Sequence, residues 1–300
     1  NNHGNYIISL GNFCRWLSKQ AEALGVEIYP GFAAAEMLYN SDGTVLGVAT
    51  NDLGVGKDGQ ATDAYMQGMN LIGKQTILAE GCRGHLTKDL FEKFNLREGK
   101  DPQTFALGIK ELWDIEPEKS KPGTVWHSVG WPLKSDTYGG SFLYHLSGNQ
   151  VAVGYVVGLD YQNPYLSPFE EFQRFKTHPS VRSVFEGGRR VSYGARALNE
   201  GGFQSIPKLT FPGGCLVGCT AGFLNVPKIK GTHTAMKSGM LAAEAVFDAI
   251  SQDILEPVSY QEKIEKSWLW KELYKVRNIR PSFNKGFVAG MLYSALDTYI

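Results

Sequence analysis

The sequence predicts an α+β protein in which a β-rich stretch interrupts a mixed helix–strand region. Three observations carry this. Residues 10–95 alternate helical and extended periodicity, with apolar residues on one helical face at Phe13, Trp16, Leu17, Ala21 and Leu24. Residues 104–210 are mostly short apolar runs broken by Pro and Gly, as expected of strands. From Gly214 onward a short strand leads into a long Ala- and Gly-rich helical pattern at Gly231–Ile250.

The elements follow in order. Gly25 stops the first helix, expected over Gly11–Gly25. Short strands are expected at Val26–Tyr29, Ala33–Tyr39 and Thr44–Thr50, the last two joined at Asn40-Ser41-Asp42-Gly43, because Asp-Gly favours positive backbone angles. Asn51–Asp63 reads as a polar loop, Asn70–Ala79 as a strand and Gly84–Asn95 as a helix. Strands are expected at Thr104–Ile115, Val125–Gly130, Ser141–Leu146, Val151–Leu159 and Val191–Ala197. Ser-Pro followed by Glu170 and Glu171 opens a helix over Ser167–Lys176. A strand at Gly214–Val217 precedes the long helix, and Ser259–Val276 reads as one amphipathic helix ended by Pro281.

Composition narrows function. The chain has 300 residues, with 30 Lys+Arg against 30 Asp+Glu, 43% hydrophobic and 20% charged residues. This is globular composition and excludes a disordered chain. The balanced charge argues against a nucleic-acid partner. Four cysteines (Cys14, Cys82, Cys215 and Cys219) show no C-x-x-C, and the six histidines show no metal spacing, so thiols are read as reduced and no metal ligand is expected in this chain. No apolar run reaches the ~18 residues of a spanning helix.

Several motifs compete for chemistry. Gly54, Gly56 and Gly59 spell G-x-G-x-x-G, but no helix pattern follows to receive a pyrophosphate, so the motif is read as a surface loop. An apolar strand at Thr76–Ala79 runs into Glu80-Gly81-Cys82-Arg83-Gly84, either a plain strand–helix turn or a close approach to a ligand. The strongest segment is Gly213–Ala235, a buried strand, a Gly-rich loop and the start of a long helix. The backbone N–H groups and dipole at Gly231–Thr234 suit partial negative charge, such as the N1/C2 edge of a reduced flavin. A packed βα unit is the alternative. No catalytic acid, base or nucleophile is assigned.

The strand, the Gly-x-x-x-Gly-Phe loop and the Gly-Thr-His-Thr-Ala helix start resemble the second flavin segment of glutathione-reductase-type flavoproteins. With Gly158–Tyr165, Tyr193–Pro207 and Asn225–Gly239, nearly the whole chain resembles the electron transfer flavoprotein–ubiquinone oxidoreductase family. The resemblance implies an α/β FAD-binding domain of glutathione-reductase type interrupted by a β-rich ubiquinone-binding domain. It divides the chain into 1–103 (FAD domain without its dinucleotide loop), 104–211 (ubiquinone-binding), 212–256 (FAD domain, second segment) and 257–300 (start of the C-terminal helical, membrane-contact and cluster region). The chain is thus expected to be a central fragment.

The resemblance further implies FAD and a [4Fe–4S] cluster, the cluster ligands lying outside this chain. Electron transfer flavoprotein is the implied donor and ubiquinone the acceptor, at the matrix face of the mitochondrial inner membrane, in a monomer resting on the membrane surface. Phe287, Val288, Met291, Leu292 and Tyr293 are the expected start of the membrane contact. FAD would be approached by Glu80, Gly81, Gly218, Asn225, Gly231, Thr232 and His233, with Asn225 bonding the flavin or ribityl chain. Ubiquinone would be approached by Gly201, Gly202, Tyr193 and Phe203. Cys219 stands where relatives on this scaffold often have Asp, a departure that leaves its role open. A FAD-dependent reductase without a cluster, of the geranylgeranyl-reductase type, is the alternative reading.

Overall fold

The structure, a computed structural model, describes residues 4–299. In chain order the elements are α1 (Leu10–Ala23), β1 (Ala34–Tyr39), β2 (Val45–Thr50), β3 (Leu53–Val55), β4 (Ala61–Met66), β5 (Asn70–Ile72), β6 (Thr76–Leu78) and α2 (His85–Lys93). Then come β7 (Phe105–Asp114), β8 (Val125–Val129), β9 (Gly139–His145), β10 (Gln150–Gly158), α3 (Pro168–Lys176), α4 (Pro179–Phe185) and β11 (Arg189–Asn199). The chain continues through β12 (Thr210–Phe211), β13 (Gly214–Leu216), α5 (Thr232–Ser251), α6 (Ser259–Lys266), α7 (Trp268–Lys275), α8 (Ile279–Ser282) and α9 (Phe287–Tyr299). The chain divides into two compact units, one of residues 1–30 with 105–197 and one of residues 31–104 with 198–300.

The first unit is built on a five-stranded sheet ordered β11–β7–β10–β9–β8. The β7–β10 and β9–β10 pairs are antiparallel, with Val153 opposite Glu111 and Leu143. Val151, Val153, Tyr155 and Val157 therefore share one face. That face forms a core with Phe172, Phe175, Val181 and Phe185 of α3 and α4. Ser167 caps α3, its Oγ accepting from the Glu170 N–H at 3.4 Å, as the Ser-Pro-x-Glu pattern predicts. The buried Glu111 carboxylate of β7 is held by Lys176 (2.8 Å), Arg190 (3.3 Å) and the Trp113 indole N–H (2.8 Å), so its charge is paired.

The second unit holds the sheets β1–β2–β5 and β12–β13–β6, with β3–β4 as a separate hairpin. β13 and β6 are parallel, Cys215 lying opposite Ile77, and each strand runs into a loop that opens a helix. The core joins Leu78, Leu86 and Leu90 to Leu216, Phe223, Ala242 and Ala245, and to Tyr260, Ile264, Leu269 and Leu273.

Several expectations are corrected. Val26–Tyr29 forms no strand. The polar stretch Asn51–Asp63 contains β3 and the start of β4, a hairpin turning at Gly56–Gly59, where the Gly56 N–H bonds the Gln60 carbonyl at 2.8 Å. Its outward residues carry no apolar alternation, so the pattern is silent. Asn70–Ala79 splits into β5 and β6 around Gly73–Gln75. The expected helix over Ser259–Val276 breaks at Ser267 into α6 and α7. Pro281 does not end that helix. It sits in the first turn of α8, where its missing N–H costs nothing. α4 was not anticipated. Among the described residues, no helix is long and apolar enough to cross a membrane.

Candidate functional site

Three loops of the second unit converge: 79–84 after β6, 199–205 after β11, and 217–231 after β13. The Thr220 hydroxyl donates to the Gly81 carbonyl at 3.1 Å, and Asn199 Nδ2 reaches the Cys82 carbonyl at 3.5 Å. These bonds tie the loops to one another.

In the first loop, Gly81 takes a positive φ of +81°. Glu80 turns back on α2, where its carboxylate accepts from the Thr87 N–H at 2.8 Å and the Thr87 hydroxyl at 2.5 Å. Gly84, the residue before the helix, has no side chain to cap it, and Glu80 does so from four residues upstream. Glu80 is thus committed to α2.

In the third loop, Gly218 has φ +58° and donates its N–H to Ser238 Oγ at 2.9 Å. Thr234 Oγ1 donates to the Phe223 carbonyl, joining the loop to the first turn of α5. Asn225 is buried. Its Oδ1 accepts from the Lys228 N–H at 3.1 Å, and its Nδ2 donates to Glu272 Oε1 at 2.8 Å. The same carboxylate takes Lys228 Nζ at 2.9 Å and His233 Nε2 at 2.7 Å. The His233 ring stacks on Trp268, nearly parallel, at 5.7 Å. Burial pushes the Glu272 carboxyl up, but the bonds from His233, Lys228 and Asn225 outweigh it and hold the pKa at about 2.

Gly231 precedes α5 and offers no capping side chain, so the first N–H groups of this 20-residue helix, at Thr232 and His233, meet no side-chain cap. Cys219 lies half-buried in this loop. Burial, and secondarily the neighbouring Cys82, raise its thiol above the ordinary range. Burial pushes Cys215 up to about 12, which makes it inert.

In the second loop, Asn199 is 3% exposed and its Oδ1 has no hydrogen-bond partner. Glu200 is paired with the buried Arg280 at 3.1 Å. The Gly201 N–H donates to Gln103 Oε1 at 2.6 Å, and a Cβ at Gly201 would run into Ser205 and Gln103. Gly202 has φ +69°, and a Cβ there would meet only Gln204 Oε1, at 3.8 Å. Phe203 packs edge-on against Trp270 at 4.5 Å and Tyr274 at 5.3 Å.

The structure therefore gathers Gly81, Gly218, Asn225, Gly231, Thr232 and His233 near one set of loops. Gly201, Gly202 and Phe203 stand on the adjoining loop of the same unit. Tyr193 belongs to the other unit, on edge strand β11, where it is 78% exposed and lies 5.1 Å from the Arg190 guanidinium. Sequence reasoning missed Glu272, Asn199 and the Glu200–Arg280 pair. Only Asn199-Glu200, polar residues beside Gly-Gly, carried any local signal. On α9, Val288, Met291, Leu292 and Leu296 are exposed, while Phe287 and Tyr293 are half-buried. Among the described residues no group of three His, Cys, Asp or Glu side chains could hold a metal ion.

Residues 105–198 match the family model described as ETF-QO, ubiquinone-binding. The whole chain is 59% identical to the mitochondrial electron transfer flavoprotein–ubiquinone oxidoreductase of Homo sapiens, covering 50% of that protein. It is 58% identical to that of Dictyostelium discoideum, covering 52%. The chain spans about half the length of the curated relatives it matches. Among solved structures, a geranylgeranyl bacteriochlorophyll reductase-like protein of Thermoplasma acidophilum superposes with a TM-score of 0.69 at 15% identity, over 91% of this chain and 63% of that one. A flavoprotein/dehydrogenase of Cytophaga hutchinsonii gives 0.59 at 16%, over 96% and 64%. At those identities the likeness shows the fold alone, an α+β fold shared with flavoproteins. Identity near 58% along all 300 residues says more: from end to end the chain is similar to about half of the mitochondrial electron transfer flavoprotein–ubiquinone oxidoreductases.

Proposed function

We propose that this chain is the flavin- and quinone-handling part of an oxidoreductase that takes electrons from electron transfer flavoprotein and delivers them to ubiquinone. The observation that carries the flavin half is the convergence of the three loops on an uncapped helix start and a buried, unpartnered amide oxygen. These features fit FAD. N–H groups at the start of α5 suit the electron-rich edge of an isoalloxazine ring, and Asn199 Oδ1 is an acceptor that only a further donor would satisfy. When bound, FAD supplies one- and two-electron transfer chemistry. The chain's residues bind and orient it: Gly231, Thr232 and His233 through the helix start, and Gly81 and Gly218 by allowing close backbone approach. Asn225 and Glu80 act indirectly, because their side chains are engaged with Glu272 and α2.

The match of residues 105–198 to a ubiquinone-binding model supports a quinone site on the five-stranded sheet. Tyr193 lies in that stretch and Gly201, Gly202 and Phe203 lie after it. Gly201 and Phe203 are already engaged, which suits a role in shaping the Asn199 loop. The [4Fe–4S] cluster is assigned to the part of the protein beyond this chain. The exposed apolar face of α9 supports contact with one leaflet, at the matrix face of the mitochondrial inner membrane, by a monomer. The second reading, a cluster-free reductase of the geranylgeranyl type, shares the fold at a TM-score of 0.69, and that likeness carries no function. Identity of 58% against 15% favours the first.

The test is a titration of the chain with FAD, followed by visible absorbance and flavin fluorescence. Saturable quenching at one flavin per chain is expected. Flavin that stays fully fluorescent at excess chain refutes the flavin reading. A parallel titration with short-tailed ubiquinone compares Tyr193→Ser with Gly202→Ala. Weakening by the first alone supports the sheet, and weakening by the second alone returns the quinone to the Gly-Gly turn.

A further inference from the structure

The five-stranded sheet has two faces, and α3 and α4 engage only one of them. Trp126 of β8 points to that face and stacks on Phe175 at 5.9 Å. Its neighbour His127 therefore points to the other. His127 pairs with Phe142, and Phe142 with Gly154, where the aromatic ring fills the place a Cβ would take. Tyr144, two residues on from Phe142, shares that face, with its ring 5.4 Å from that of Phe142. His127 Nε2 lies 3.1 Å from Tyr144 Oη, with the rings edge-on at 5.5 Å. Both residues are half-buried.

We infer that Tyr144, backed by His127, is a headgroup-binding and proton-delivering residue for a benzoquinone. The inference rests on the quinone reading above. A benzoquinone is flat and presents two carbonyl acceptors. It needs an apolar or aromatic surface, a donor at an oxygen, and on reduction two protons. Phe142 and the small Gly154 supply the surface. Tyr144 Oη–H donates to one carbonyl oxygen, and His127 Nε2–H donates to Tyr144 Oη in turn.

The quinone gains two electrons from the reduced flavin of the proposed activity. One quinone oxygen takes the Tyr144 proton, Tyr144 regains one from His127 Nε2, and His127 accepts one from solvent at Nδ1 in the same step, so the imidazole stays neutral; the two protons released as the reduced flavin is oxidised replace the two drawn from solvent. The second oxygen takes its proton from water, and the product is the quinol. Tyr144 touches the substrate, whereas His127 positions and resupplies it.

The experiment titrates the 300-residue chain with ubiquinone bearing one isoprene unit, by calorimetry. It also follows the imidazole ¹⁵N resonances of His127, with His145 and His178 as internal controls. Tyr144→Phe is expected to weaken binding about 3- to 10-fold, the effect of one lost hydrogen bond. His127→Leu should weaken binding, and His127→Gln, which retains an N–H donor, should restore it to within about twofold. In the unsubstituted chain quinone should shift the His127 resonances and leave the controls in place. Equal thermal melts for Tyr144→Phe and the parent chain exclude a folding defect. If the parent chain binds while Tyr144→Phe binds equally well and the His127 resonances stay put, this inference falls and the quinone reading survives. If the parent chain binds no quinone, both fall together.

Discussion

Replacing Glu272 with Gln removes one negative charge from a cluster that fixes two segments at once. In the folded chain the carboxylate is bonded by His233 (2.7 Å), Asn225 (2.8 Å) and Lys228 (2.9 Å). Burial opposes ionisation, yet these donors hold the pKa at about 2 instead of 4.5. At full strength that difference is worth about 3 kcal/mol. The partners remain partly open to solvent, which reduces it to about 1–2 kcal/mol. The sign follows from the direction. A carboxyl whose pKa is depressed by folding stabilises the chain fully above about pH 4.5 and loses that contribution as the pH falls toward 2. Glu272→Gln should therefore lower the melting temperature by about 2–6 °C at pH 7. The gap to the parent chain should narrow as the pH drops from 4.5 to 3. Differential scanning calorimetry of both chains at pH 7, 5, 4 and 3 reads this directly. A gap that stays constant across that range refutes the argument, because the stabilisation would then not come from the ionised carboxylate.

Three further outcomes are expected. Arg280→Met should destabilise the chain by about 3–5 kcal/mol by taking the guanidinium away from the buried Glu200 carboxylate, and adding Glu200→Gln should recover part of the loss in urea unfolding. Gly213→Ala should destabilise by about 2–3 kcal/mol, since Gly213 has φ +93° and a Cβ there would press into the Val45 backbone and side chain. The midpoint of urea unfolding reports it. Asn199→Ala should leave the melt of the flavin-free chain within about 1 kcal/mol of the parent, because Oδ1 bonds nothing there and Nδ2 makes only the 3.5 Å bond to the Cys82 carbonyl, yet weaken FAD binding several-fold in the fluorescence titration.

How far the sequence carries the fold can be read from particular residues. The helix start at Ser167 and the turn at Asp42-Gly43 were legible because each rests on short-range chemistry: a cap and a Pro at the first, a positive φ at Gly43 in the second. The hairpin β3–β4 was not, since all six residues of β4 are exposed and the pairing rests on backbone bonds and on Thr62 Oγ1 reaching the Gly54 carbonyl. The break at Ser267 left a trace. Tyr260 and Ile264 are four apart, as are Leu269 and Leu273, but Ile264 and Leu269 are five apart, and that extra residue breaks the helical period. Of the candidate site, the glycine-rich loops were legible because glycine marks close approach in sequence. Glu272 was not, because it lies 39 residues from His233 and 47 from Asn225, and nothing local links them.

α7 shows why those distant residues matter. It is eight residues long, and three of its i, i+4 pairs do different work. Leu269 and Leu273 are buried in the core. Trp270 and Tyr274 both meet Phe203, on the Asn199 loop. Trp268 and Glu272 both meet His233, on the first turn of α5. Residues four apart lie on one face of a helix, and successive residues are turned by about 100°. One short helix can therefore press on the core with one face and brace a different loop with each of two others. The kink at Ser267 makes this possible, because a continuous helix from α6 would rotate α7 by the extra residue and misdirect all three pairs. The candidate flavin loops are thus shaped by residues late in the chain as much as by the glycines that first drew attention to them.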